Sequence, residues 1–310
     1  MSQTIRNVQP VTANLGKEGA GELVPSRYGV RVGDIDVVLI SDGVLPLPTS
    51  TMSTNVSVAD RNDWFDDRFL QRDMFDWALN IALVRSADRL ILIDSGVGDG
   101  FDYFTRAGQS VMRLESAGID LETITDIVIT HMHMDHVGGL NIDGVKAKLR
   151  PDVRIHVAAS EMEFWKNPDF SKTVMPEAVP PALRKAAAKF AELYSANIVP
   201  FGRNVEVAPG VSARVTGGHT PGHCVVDVAS KGEKLTFVGD AIFEVGFDNP
   251  AWQNGFEHDP EMATEVRIAL LSEAADTGAL LAAAHVAFPS VGHVARNGKN
   301  FRFVPVQWDY

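Results

Sequence analysis

HMHMDH, at residues 131–136, follows directly on the apolar run DIVIT, at residues 126–130. A run of this kind is typical of a buried strand, so we expect the six residues to lie where that strand ends. Three histidines and a carboxylate in one short loop would leave buried polar atoms without partners unless a cation lay among them. We therefore interpret the loop as part of a metal site.

Further candidate ligands occur where other apolar runs end. His219, Asp240 and His285 each follow such a run, and loops at strand ends can converge on a common site. Imidazole and carboxylate ligands suit zinc, manganese, iron or cobalt ions. The single cysteine, Cys224, excludes a cysteine-rich zinc site, and we expect it to pack as a small residue.

Strand-like apolar runs recur along the chain and interleave with fewer helical segments. The predicted strands are residues 36–41, 81–85, 90–93, 126–130, 154–158, 211–216, 225–229 and 235–238. The predicted helices are residues 105–117, 181–194 and 262–274. This pattern favours an α/β fold with two sheets packed face to face and helices outside, an αββα sandwich in a single domain. We assign residues 1–25 to an N-terminal arm and residues 26–310 to that domain.

Composition and charge exclude several classes of function. The 310 residues carry a formal net charge of −12, which argues against a nucleic acid as the main partner. No apolar run reaches the roughly 18–20 residues of a membrane-spanning helix. The first thirty residues contain no apolar core of a secretory signal, so we expect a cytoplasmic protein, or a periplasmic one if a leader has been removed.

The ordered set of motifs resembles the metallo-β-lactamase superfamily over roughly residues 30–308. The motifs are HMHMDH, His219 in GHTPGH, Asp240 in GDA, His285, and Asp94 in LIDSG. The resemblance implies two divalent metal ions, with zinc as the first expectation. Ligands of the first ion would be His131, His133 and His219. Ligands of the second would be Asp135, His136 and His285. Asp240 would bridge both ions, and Asp94 would support the metal loop without being a ligand.

Other stretches resemble the methyl parathion hydrolase group in particular, whose members are dinuclear arylester, lactone and organophosphate hydrolases. The matching stretches are residues 131–140, 163–165, 217–223, 284–289, 292–293 and 301–306. The resemblance implies a bridging hydroxide that opens lactones or cleaves aryl esters, with promiscuous cleavage of organophosphate triesters. Asp135 and Asp240 would then be catalytic through the ions that they hold.

Aromatic side chains near the ligand loops predict an apolar pocket for a small, uncharged, hydrophobic substrate. The candidate rings are Phe101, Phe104, Trp165, Phe243 and Phe288. Phe243 stands three residues after Asp240, where the acyl-homoserine lactonases of the superfamily place a tyrosine. Because phenylalanine has no hydroxyl, we expect a preference for substrates with good leaving groups.

Alternative functions stay open at this point. An acyl-homoserine lactonase would share the chemistry but act on a quorum signal. A thioesterase of the glyoxalase II type would need basic residues for glutathione, for which Arg296, Lys299 and Arg302 are the candidates. A catalytically silent metal-binding sensor would be expected to have lost ligands. A flavin-linked diiron oxidoreductase would need a flavin domain, for which these residues leave no room.

Two other features have more than one interpretation. The aromatic stretch at residues 64–77 is either a helical surface segment with inward-packed rings or an arm that covers the site or a partner. Together with the resemblance, it predicts a homodimer. We expect His223 to support the loop of His219, and His156, His258 and His293 to be structural or surface residues.

Overall fold

The structure is a computed structural model that describes residues 25–100 and 105–307. These residues form fourteen strands, in two sheets of seven, and seven α-helices. In spatial order, the first sheet contains β1 (Arg27–Val32), β2 (Ile35–Pro48), β3 (Met74–Ser86), β4 (Arg89–Ile93), β5 (Asp126–Val128), β6 (Arg154–Ala158) and β7 (Ile198–Phe201). The second contains β14 (Asn300–Pro305), β13 (Val291–Asn297), β12 (Leu280–Ala282), β11 (Glu233–Phe237), β10 (Cys224–Ser230), β9 (Val211–Val215) and β8 (Asn204–Ala208). The helices are α1 (Val58–Asp66), α2 (Ser110–Ser116), α3 (Met134–Val137), α4 (Val145–Lys148), α5 (Ala159–Phe164), α6 (Val179–Leu193) and α7 (Pro260–Thr277).

Both sheets divide their side chains between two apolar layers, because successive strand residues point to opposite faces. In β2, Val37 and Leu39 enter the core between the sheets, whereas Ile40 packs beneath the helices that cover the first sheet. In β10, Val226 enters the core between the sheets and Val225 enters the core beneath α7. The layers run helix, sheet, sheet, helix. This confirms the αββα sandwich in a single domain.

The predicted helices are present with altered bounds. Residues 181–194 correspond to α6 and residues 262–274 to α7. The helix predicted at residues 105–117 begins only at Ser110, so its predicted start was wrong. The backbone N–H groups of Gly108 and Ser110 instead donate to the buried carboxylate of Asp42, which fixes the chain before the helix. None of the helices in the described ranges is long and apolar enough to cross a membrane.

The aromatic stretch at residues 64–77 packs mainly inward. Trp64 and Phe65 are buried at the end of α1, and Trp77 is buried in β3. Phe69 is the exception, since its side chain is 98% exposed. The rings therefore pack inward as the first alternative expects, but the expected helix was wrong beyond Asp66, because Trp77 lies in strand β3. The predicted N-terminal arm lies outside the described residues, apart from Pro25.

Strand ends from the two sheets meet at one edge of the sandwich. In the first sheet, β5 leads into HMHMDH, the loop at residues 131–136. In the second sheet, β9, β11 and β12 lead into the loops that carry His219, Asp240 and His285. The sheet topology therefore brings every candidate ligand loop to this edge.

Two glycines allow the ligand loops to approach neighbouring backbone. A Cβ atom on Gly138 would lie 2.0 Å from the carbonyl oxygen of Val97, so no other residue fits there. Gly218 has a φ of +84°, and its Cβ atom would lie 2.7 Å from the Cα atom of Ala263 in α7. Close packing of the loop of His219 against α7 thus depends on Gly218.

Arg267 connects α7 to the segment between β11 and α7 from inside the protein. Its guanidinium donates to the carbonyl oxygens of Ala241, Pro250 and Trp252 at 3.2, 2.8 and 2.8 Å, and it pairs with the carboxylate of Glu257. Both charged side chains are fully buried. A buried ion pair is stable only while both partners are present, because either one alone is an uncompensated charge.

We predict that Arg267→Met destabilises the protein by about 3–5 kcal/mol, because it leaves the Glu257 carboxylate buried and unpaired. The double variant Arg267→Met/Glu257→Leu should recover part of that loss, since it removes the buried charge but leaves the carbonyl oxygens of Ala241, Pro250 and Trp252 without their donor. Denaturant unfolding of the three proteins measures both effects. Equal unfolding free energies for the single and double variants would show that the unpaired charge is not the cause.

Candidate metal centre

The side chains of all seven predicted ligands meet at the sheet edge. Their candidate ligand atoms form two groups, and the atoms of each group lie within 4.8 Å of one another. The first group is His131, His133, His219 and Asp240. The second is Asp135, His136 and His285. The five histidines and Asp135 divide as the family resemblance implies, and Asp240 falls in the first group.

Asp240 lies between the two groups and contacts both. Its Oδ2 atom is 3.3 Å from His219 Nε2 and 3.8 Å from His131 Nε2, in the first group. The same oxygen is 3.0 Å from His285 Nε2, and Oδ1 is 3.0 Å from His136 Nε2, in the second group. A single carboxylate therefore reaches imidazoles on both sides of the site.

Several atoms that face this site have no hydrogen-bond partner. Among the described residues, the buried atoms without a hydrogen bond of suitable geometry include His131 Nε2, His136 Nε2 and Asp240 Oδ1, although the last two lie 3.0 Å apart. Most buried polar atoms in proteins are hydrogen-bonded, so unpaired imidazole and carboxylate atoms that converge indicate a position for a cation. The histidines and aspartates are thus positioned to bind metal.

Burial and neighbouring charges set the protonation of the imidazoles. Burial chiefly, assisted by adjacent histidines, lowers the pKa well below the usual value for His131, His133 and His219. Burial acts in the same direction on His136, but nearby carboxylates, Asp240 foremost, outweigh it and raise the pKa of His136 well above the usual value. A neutral imidazole offers the lone pair that a metal ion needs, and a bound cation would supply the positive charge that the carboxylates attract.

Hydrogen bonds on the outer side of the site orient the ligands. Asp94 accepts from the Thr130 N–H, the Thr130 hydroxyl and His136 Nδ1, each at 2.8 Å. His285 Nδ1 donates to the carbonyl oxygen of Ala78 at 2.8 Å. These bonds direct Nε2 of both imidazoles toward the site. The contacts of Asp94 are those of a residue that supports the metal loop.

His223 supports the loop of Asp240. Its Nε2 atom accepts the Asp240 backbone N–H at 3.1 Å, and Nδ1 lies 2.8 Å from the Thr216 hydroxyl. Burial lowers the pKa of His223 to about 4, so the ring is neutral and can accept at Nε2. The expected role of His223 beside the loop of His219 thus extends to the backbone of Asp240.

Glu161 is a site residue that the sequence analysis missed. Its buried carboxylate accepts from the Met132 N–H at 2.9 Å, the Thr220 hydroxyl at 2.7 Å, the Gly222 N–H at 3.0 Å and Trp165 Nε1 at 2.7 Å. These donors belong to two different ligand loops and to the residue that follows α5. Glu161 therefore joins the loops of the first group, and no sequence motif marks it.

The predicted pocket rings have different positions. Trp165 lies beside the site, with its ring centroid 5.8 Å from that of His133. Phe243 is only 1% exposed and stacks on Trp77 at 5.9 Å, so it is an interior residue. Phe288 is half-buried against the core between the sheets. Phe101 and Phe104 lie outside the described residues.

Trp77 also approaches the site, as the second interpretation of the aromatic stretch allows, and Phe256 packs against Trp77. The Trp77 ring centroid is 4.9 Å from that of His285 and 6.3 Å from that of Phe256. In the sequence, only its place in the aromatic stretch pointed to Trp77. No sequence feature pointed to Phe256, because its loop is joined to the site only by tertiary contacts.

His258 lies at the site, which corrects the expectation that it is merely a structural or surface residue. Its Nε2 atom is 3.3 Å from His133 Nε2, because its backbone N–H donates to the carbonyl oxygen of His219 at 2.8 Å. His156 is bonded to Asp126 instead, and His293 is exposed. The structural or surface interpretation fits those two histidines.

Known proteins resemble this chain in sequence and in structure. The profile of the Metallo-beta-lactamase superfamily matches residues 75–285. A solved structure of AidC, a dizinc quorum-quenching lactonase in complex with a homoserine product, has a TM-score of 0.82 and 26% identity, covering 92% of this chain and 99% of that one. A structure of hydrolase AbOPH in the beta lactamase superfamily has a TM-score of 0.81 and 25% identity, covering 93% and 100%. The Beta-lactamase-like protein 2 homolog of Drosophila melanogaster is 31% identical over 170 residues, which are 54% of this chain and 48%, about half, of that relative.

We predict that Glu161→Gln destabilises the protein by about 1–3 kcal/mol, because an amide nitrogen would face donors that now share a carboxylate. Glu163→Gln is the matched control, since Glu163 is an exposed residue of the same helix that pairs only with Lys166 among the described contacts. Denaturant unfolding compares both variants with the wild type. A Glu161→Gln protein as stable as the control would show that the carboxylate does not join the two loops.

Proposed function

The chain belongs to the metallo-beta-lactamase superfamily, and we propose that it is a dinuclear metal-dependent hydrolase that opens lactones or cleaves aryl esters. We propose organophosphate triesters as promiscuous substrates. The observation that carries the proposal is the pair of ligand groups with Asp240 between them. The full set of candidate ligands speaks against a silent sensor.

Two bound divalent cations, with zinc as the first expectation, would lower the pKa of a water molecule and polarise the reacting oxygen of the substrate. The chain's part is to hold and orient them. Asp240 would do so for both ions, and Asp135 for the second. The Asp135 side chain is 13% exposed, more than those of His136, His285 and Asp240, so we infer that substrate approaches from its side.

Rings on either side of the ligand groups support a small, uncharged, hydrophobic substrate. Trp165 stands beside His133 in the first group, and Trp77 stands beside His285 in the second. Aromatic walls favour apolar groups such as aryl or acyl substituents. We propose no nucleic-acid partner, because the net charge is −12. The homodimer stays a proposal.

The second candidate function is hydrolysis of N-acyl homoserine lactones. The similarity to AidC, a quorum-quenching lactonase, over 92% of this chain favours it. Phe243 does not decide between the two, because its ring is buried between Trp77 and Arg267 and does not line the site. The two candidates differ in how strongly the rate of hydrolysis should depend on the pKa of the leaving group.

Elemental analysis tests the metal site. We predict two metal ions per wild-type chain and at most one in Asp240→Asn, together with a loss of kcat/KM of at least ~10²-fold, because the variant lacks the shared negative charge. Asp143→Asn is the control, since Asp143 is exposed and pairs only with Lys189 among the described ion pairs. Full turnover by Asp240→Asn would refute the bridging role, and a metal-loaded wild type without turnover would favour the sensor.

A series of esters and lactones with leaving groups of graded pKa tests the substrate class. We predict that kcat/KM falls steeply from aryl to alkyl leaving groups, because the hydroxyls of the described tyrosines, Tyr28 and Tyr194, are bonded to backbone carbonyls and do not assist departure. Rates of the same compounds with free hydroxide provide the control for intrinsic reactivity. Equal enzymatic rates for aryl and alkyl members would contradict the preference, and efficient opening of N-acyl homoserine lactones would favour the second candidate.

A further inference from the structure

His258 has a fixed place between the site and a neighbouring loop. Its ring is buried, and the rings of Phe164 and Phe170 flank it at centroid distances of 4.9 and 5.1 Å. Nδ1 lies 2.8 Å from the carbonyl oxygen of Asp169, and Nε2 lies 3.3 Å from His133 Nε2. The imidazole therefore has a different partner at each nitrogen.

These partners determine where the hydrogen atoms lie. A carbonyl oxygen only accepts, so His258 Nδ1 must donate to Asp169. A neutral imidazole carries one N–H, and in His258 that hydrogen lies on Nδ1, where the Asp169 carbonyl oxygen accepts it. His258 Nε2 is then an acceptor, and His133 must donate to it from its own Nε2.

That donation leaves the lone pair of His133 on Nδ1. Nδ1 is the nitrogen that faces the site, at 3.1 Å from His219 Nε2. The arrangement is the reverse of that at His136 and His285, where Nδ1 is the outer nitrogen and Nε2 faces the site. His133 therefore needs its outer partner at Nε2, a position that Asp94 and Ala78 do not reach among the described contacts.

We propose that His258 is a positioning residue that fixes the tautomer of His133, so that the Nδ1 lone pair of His133 points to the metal site. The proposal rests on the proposed function, in which His133 is a ligand of the first ion. In this arrangement His133 Nε2 donates to His258 Nε2, and His258 Nδ1 donates to the Asp169 carbonyl oxygen. Outer-shell partners of metal-bound histidines commonly fix the ring orientation in this way.

Two substitutions separate the hydrogen bond from the space that the ring fills. His258→Phe keeps an aromatic ring between Phe164 and Phe170 but removes the acceptor. His258→Gln retains an amide oxygen that can accept from His133 and an amide N–H that can donate to Asp169. His293→Phe is the control, because it replaces an exposed histidine outside the site.

Nitrogen-15 NMR of the histidine rings reads the tautomer in the metal-free protein, independently of activity. We expect His133 to carry its hydrogen on Nε2 in the wild type and in His258→Gln, and to lose that preference in His258→Phe. A wild-type His133 with its hydrogen on Nδ1 would overturn the proposal. That measurement needs no variant, so it decides even if His258→Phe does not fold.

Competition with a chromophoric chelator measures the affinity for Zn²⁺ of the folded proteins. We expect His258→Phe to bind about 10–100-fold more weakly, and His258→Gln to restore binding toward the wild type. Unchanged zinc affinity and an unchanged His133 tautomer in His258→Phe would refute the proposal. A wild type that binds no zinc would instead contradict the proposed function, while the NMR result would still test the role of His258.

Discussion

The whole arrangement depends on the crowding of five imidazoles and two carboxylates into one largely buried space. Asp240 has the most contacts of this kind, because its carboxylate lies within 3.8 Å of nitrogens from four histidines. Such a cluster cannot be satisfied by hydrogen bonds alone, since several of its inward atoms find no donor or acceptor with suitable geometry. The loops, the sheet edge and the surrounding polar residues all serve to place these seven side chains.

The ligand loops nevertheless keep their form through hydrogen bonds within the protein. Asp94 holds the backbone of Thr130, Glu161 holds those of Met132 and Gly222, and His223 holds that of Asp240. Each of these groups is buried, and each bonds to backbone directly beside a candidate ligand or at the ligand itself. A cation would therefore enter a site that is already built, which limits the rearrangement that its binding requires.

Sequence alone predicts the part of this structure that depends on local pattern. The apolar run before HMHMDH predicts a strand end, and the αββα layers follow from the other runs. The residues that sequence misses act through tertiary contact: Glu161 belongs to no motif, and His258 is far from His133 along the chain. For Phe243, the sequence position predicts a role that the structure does not support. Its sequence position next to a ligand loop predicts a pocket ring, but only the packing reveals that Trp77 and Arg267 enclose it.

One helix far from the chemistry holds two ligand loops at once. Ala263 of α7 contacts Gly218 beside His219, and Arg267 of the same helix bonds to the carbonyl of Ala241 beside Asp240. A displacement of α7 would shift both loops together, so mutations there would resemble active-site defects in an assay. Directed evolution toward new substrates should accordingly leave α7 intact.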